Sequence, residues 1–139
     1  MSVLNSKSGS LQIVLEPHRI LDEEPPTWIT TLVRFLGKIP HQVTTTIALT
    51  VVDLASLSNT VRSISSGELE SATFLSTDED IYIDMKPAHN NDVWVAIFVG
   101  EPSQTMIGYR ALVSSEALHD WADTLESEQR TVLPRGRLP

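Results

Sequence analysis

Twice along this chain a strand-like alternation of side chains gives way, with no intervening loop, to a helical repeat preceded by a capping residue. The first change follows Thr50, in TVVDLASLSNTVRSI, and the second follows Ser114–Ser115, in SSEALHDWADTLES. Leu54, Leu57, Val61 and Ile64 recur at helical spacing in the first segment, with Asp53, Asn59, Arg62 and Ser63 expected to face elsewhere. Thr50 followed three positions later by Asp53 has the form of a capping box, and Gly67 is a natural stop. In the second segment Leu118, Trp121, Ala122 and Leu125 form the apolar stripe, while Glu116, Asp120, Asp123 and Glu126 line the wet side. A helix entered directly from a strand excludes many layouts, because sheet and helix must share one core.

The rest of the chain reads as strands. LQIVLE (11–16) is the first, followed by a loop over 17–26 that contains Glu23–Glu24–Pro25–Pro26. From Trp28 to Leu36, Ile29, Thr31, Val33 and Phe35 share one face, and a turn at Gly37–Lys38 leads to a strand over 41–49. Further strands fall at about 68–75, 80–86, 92–100 and 106–113. The segment VWVAIFV differs from the others. Val93, Val95, Ile97 and Val99 make one face, but Trp94, Ala96 and Phe98 make the other nearly as apolar, as in a central strand covered on both sides. Gly108 leaves room for a neighbouring ring or backbone. The expected fold is α+β: a six- or seven-stranded, mostly antiparallel sheet with two principal helices, in the order β-β-β-α-β-β-β-β-α. No internal repeat is legible. The domain is expected over 11–130, between flexible tails at 1–10 and 131–139. The predicted core is Phe35, Ile47, Leu54, Leu57, Val61, Phe74, Ile83, Val95, Ile97, Leu118, Trp121 and Leu125.

Charge divides the chain. Residues 1–66 are balanced, whereas 67–139 hold thirteen acidic and five basic side chains and so carry the whole formal charge of −8. A negative surface repels phosphate backbones, so no nucleic-acid partner is expected, and it suits a basic protein instead. The absence of cysteine excludes disulfides, thiolate metal sites and cysteine nucleophiles. MSVLNSKSGS has no apolar signal region and no stretch reaches the ~20 apolar residues of a membrane helix, so a cytoplasmic protein without membrane contact is expected.

No segment combines reactive residues at a spacing that compels a reaction, and no catalytic, cofactor or metal set is assigned. The polar alternative is the group Asp78, Asp80, Asp84, His89 and Asp92, which would suit a small hydrolase or metal-assisted enzyme if the oxygens and imidazole converged. A solvated turn explains the same residues. The aromatic alternative is a protein interface at Trp94 and Phe98, joined by Leu32 and Leu36 of the early strand. That patch would be covered internally, by a protein partner, or by a second copy in a structural homodimer.

In element order the chain resembles a group of small bacterial α+β proteins that includes the WapI-type immunity proteins. The matching elements are a tryptophan-bearing early strand (TWITTLVRF), the mid-chain helix TVVDLASLSNTVRSI, the strand DVWVAIFVG and the serine-started ALVSSEALHDWADTL. The resemblance spans about residues 11–127 and rests on element order and hydrophobic pattern. It implies a non-enzymatic domain that neutralises a partner toxin or binds another protein, and it carries over no contact residue.

Overall fold

Each helix begins where a hydroxyl side chain ends a strand. Thr50 is extended (φ −90°, ψ 164°), its Oγ1 accepts the Asp53 amide at 3.0 Å, and Asp53 Oδ2 accepts the Thr50 amide at 2.9 Å, so the expected capping box is complete. Ser114 Oγ accepts the Ala117 amide at 3.1 Å and does the same service for the second helix. The computed structural model describes residues 1–22, 24, 27–101 and 105–137. Among these the order is β1 (Ser2–Asn5), β2 (Leu11–Asp22), β3 (Trp28–Gly37), β4 (Val43–Thr50), α1 (Val51–Ser65), β5 (Ala72–Leu75), β6 (Ile81–Pro87), β7 (Val93–Gly100), β8 (Met106–Val113) and α2 (Ser115–Arg137).

The fold is α+β, with every strand pair antiparallel. It has eight strands in two sheets, β1-β2-β3-β4 and β5-β6-β7-β8, where the sequence pattern suggested six or seven in one. The added strand is β1, which lies in the expected N-terminal tail. Only four residues long, it is too short to show a period, yet Leu4 and Ser2 are fully buried and the strand packs on β2 and α2. A repeat that the sequence hid also emerges. Four strands and a helix occur twice, and it is the arrangement that recurs rather than the side chains.

Two boundaries move outward. β2 continues past residue 16 through the expected loop, with register shifts between Pro17 and Arg19 and between Ile20 and Asp22. β1 pairs only as far as Leu15, so Pro17, which lacks an amide hydrogen, sits where β2 has become an edge. Most of the Glu23–Pro26 stretch lies outside the described residues. α2 runs to Arg137, beyond the expected end at 130. Between Leu118 and Thr131 its buried apolar side chains end with Leu125, and the next turn is held by Arg130 to Glu126 (2.9 Å) and Thr131 Oγ1 to the Ser127 carbonyl (2.9 Å), neither of which leaves an apolar signature.

All twelve residues of the predicted core are buried in a single hydrophobic cluster. It joins the inner faces of both sheets to the inward stripes of α1 and α2. Across the two helices Ser58 Oγ donates to the Ala122 carbonyl at 3.4 Å, and Arg62 bridges Asp123 (2.9 Å) and Glu126 (2.8 Å). Asp53 departs from expectation: it is buried, because its second oxygen accepts the Thr77 amide (3.0 Å) and hydroxyl (2.8 Å) from the β5–β6 turn.

Candidate functional site

Alternation decides what remains outside. On β7, Val93, Val95, Ile97 and Val99 point into the core, which leaves Trp94, Ala96 and Phe98 on the outer face of the second sheet. Register then assembles that face in rows. Leu75, Tyr82, Phe98 and Gly108 align across the four strands; Thr73, Asp84, Ala96 and Arg110 form the next row; Lys86, Trp94 and Leu112 form the third. Of eight aromatic residues in the chain, three lie on this one face, and the β1–β2 turn borders it at Leu112, whose carbonyl accepts the Lys7 amide at 2.7 Å. Phe98 is 39% exposed and Leu75 50%.

The aromatic side chains are held in place. The Phe98 ring lies against Gly108 so closely that a Cβ there would fall 2.1 Å from its Cδ1, which is the ring approach that the glycine was expected to permit. Tyr82 and Phe98 contact with centroids 6.2 Å apart, and the Arg110 guanidinium sits 4.2 Å from the Trp94 ring centre. Asp84, in the central row, pairs with Lys86 at 3.6 Å. The result is an aromatic surface with Asp84 and Arg110 on either side of Ala96 and a second cation, Lys86, one row away on the Asp84 strand.

Leu32 and Leu36 do not join this surface. They occupy the outer face of the first sheet, half-buried, where Leu32 stands between Glu16 and Thr46 and Leu36 beside Gln12. Alternation along a strand identifies a face but not the sheet to which it belongs. Tyr82, Leu75, Arg110 and Leu112 were missed for the same reason: each alternates correctly on its own strand, and only register makes them neighbours of Trp94 and Phe98.

The polar alternative separates into structural parts. Asp78 is exposed in the β5–β6 turn. Asp80 accepts the Ser76 hydroxyl (2.7 Å) and the Ala48 amide (3.2 Å), which fastens that turn to β4. Asp84 lies on the open face. His89 follows β6, whose seven residues at ~3.3 Å each put it ~20 Å from Asp80. Asp92 is buried and accepts Lys7 Nζ at 2.6 Å, while His89, exposed, meets it only through backbone. Among the described residues no group of three or more His, Asp or Glu side chains is placed to hold a metal ion, and no helix is long and apolar enough to cross a membrane.

No family model matches the chain, and no curated protein matches it. Among solved structures, a chain from the Trypanosoma bruciei MRP1/MRP2 crystal structures superposes over 97% of this chain and 85% of its own, with a TM-score of 0.50 and 10% identity. Identity this low makes the likeness one of fold.

Proposed function

We propose that this is a non-enzymatic protein-binding domain whose contact surface is the outer face of the second sheet. The observation that carries the reading is the row Leu75–Tyr82–Phe98 with Trp94 beside it, a set of large apolar side chains held in fixed positions, Leu75 and Phe98 exposed and Tyr82 and Trp94 half-buried. Rigid aromatic side chains next to an arginine are the residue types that dominate binding energy in protein interfaces. The separation of Asp80 from His89 and the structural duties of Asp80 and Asp92 weigh against catalysis at those residues.

An immunity-type role, with a basic toxin as the partner, is the specific form of this reading that the resemblance in element order brings. Its support is the thirteen acidic side chains of residues 67–139. The test is affinity capture from native lysate with the wild-type chain and with Phe98→Asp, folding of both being checked by circular dichroism. A stoichiometric protein partner held by the wild type and lost by the variant is expected. For a basic toxin, added salt should chiefly slow association. Capture that is equal for the two chains would refute this face as the contact.

A further inference from the structure

Resting on that reading, we infer that the occupant of the open face is a second copy of this chain, packed sheet to sheet about a two-fold axis that runs along β7. The argument is one of register. Asp84 and Arg110 lie in one row with Ala96 midway between them. A two-fold axis in the plane between two facing sheets, parallel to β7 and passing over Ala96, sets each position opposite its mirror across β7. Asp84 then faces the mate's Arg110, and Arg110 the mate's Asp84. Trp94 and Phe98, on β7 itself, meet their own counterparts, and Tyr82 faces the Phe98 ring where it lies over Gly108. An isologous contact requires this self-complementarity. A face of uniform charge would oppose such pairing, whereas here Asp84 on β6 and Arg110 on β8 stand on opposite sides of the central strand and each meets the other sign; Lys86, which pairs with Asp84 within its own chain, comes opposite the mate's uncharged Leu112. Tilting the axis by ~15° from β7 gives the ~30° crossing of aligned sheet packings.

The footprint sets the strength. With the axis along β7 the strands that face one another are β6, β7 and β8, and three strands ~4.8 Å apart and about seven residues long at ~3.3 Å cover roughly 330 Å² of sheet per copy, below the ~800 Å² per partner of a standard stable interface. The dimer is therefore weak and reversible.

Sedimentation equilibrium of the intact chain from ~1 to ~500 μM tests this, together with Asp84→Arg, Arg110→Asp and an equimolar mixture of the two. Each single variant places like charges opposite one another and should weaken association at least ~10-fold. In the mixture both pairings become complementary again, so the dimer should return, to within ~3-fold of wild type. The double variant, which exchanges the charges within one chain, should recover likewise and serves as the check should either single variant fold poorly. A wild type that remains monomeric overturns the second copy; if Phe98-dependent capture of another protein persists, the binding reading itself stands. A dimer indifferent to Asp84→Arg, Arg110→Asp and Trp94→Asp overturns this face as the contact. Quenching of tryptophan fluorescence by a single-stranded oligonucleotide, lost in Trp94→Phe and accompanied by no self-association, would assign the face to nucleic acid and overturn the proposal.

Discussion

Replacing Asp53 tests whether one carboxylate holds the start of α1 and the β5–β6 turn together. Its Oδ2 accepts the Thr50 amide, and its Oδ1 accepts the Thr77 amide and hydroxyl. In Asp53→Ala the Thr50 amide, on a residue only 1% exposed, loses its acceptor. A stranded buried amide costs ~1–3 kcal/mol, and the capping box contributes ~1 kcal/mol that overlaps with it. Thr77 is exposed, so water replaces its acceptor at small cost. The expected loss is ~1–3 kcal/mol. Asp53→Asn sharpens the test. An amide supplies one acceptor oxygen where donors arrive at both carboxylate oxygens, so in either orientation its NH2 faces an N–H. Asparagine should therefore recover no more than ~1 kcal/mol of the loss despite its matching shape. Urea unfolding followed by tryptophan fluorescence and circular dichroism measures both. Midpoints for the two variants that correspond to less than ~0.5 kcal/mol from wild type at unchanged slope would refute the assignment of Asp53 as the tie.

Trp121 is wholly buried, yet among the described residues its Nε1 has no acceptor, so Trp121→Ala should cost ~3–5 kcal/mol and Trp121→Phe clearly less, because phenylalanine leaves a smaller void and removes the orphan donor; chemical denaturation compares them. In Gly108→Ala the new methyl displaces the Phe98 ring, which should cost ~1–2 kcal/mol in the same assay and weaken self-association in sedimentation. The Arg62 guanidinium, hydrogen-bonded to Asp123, holds that carboxyl below its ordinary value of 3.8. Because the folded-state pKa is depressed, the pair's contribution to stability is present in full well above pH 3.8 and fades as pH falls through the lower folded value. A carboxyl-detected NMR titration should show the Asp123 midpoint rising in Arg62→Met, and an unmoved midpoint would exclude the guanidinium as the cause.

What the sequence disclosed was whatever is local. The capping box at Thr50, the inward stripes of both helices and the buried faces of β3 and β7 each depend on spacing within one element, and each appears as the spacing implies. The pairing of strands is not local. Alternation marks Trp94 and Phe98 as one face and Leu32 and Leu36 as another without saying that different sheets own them. Asp53 misled for a related reason. It looks like an exposed carboxylate in a first helical turn, and only the arrival of Thr77, twenty-four residues later, makes burial tolerable. β1 left almost no signal, since its burial comes from α2 at the far end of the chain.

The two halves hold each other at opposite ends. From the first, Lys7 donates its amide to the Leu112 carbonyl on β8 and its ammonium to Asp92; from the second, Asp80 takes the Ala48 amide on β4, and Thr77 reaches Asp53. Each sheet's last strand is thus tied to a turn of the other half. Neither four-strand unit keeps its edge once its neighbour opens, and the hydrophobic cluster beneath them is shared. A molecule that repeats its arrangement twice therefore melts as one cooperative unit, with the slowest-exchanging amides of β3 and β7 reporting the same global opening.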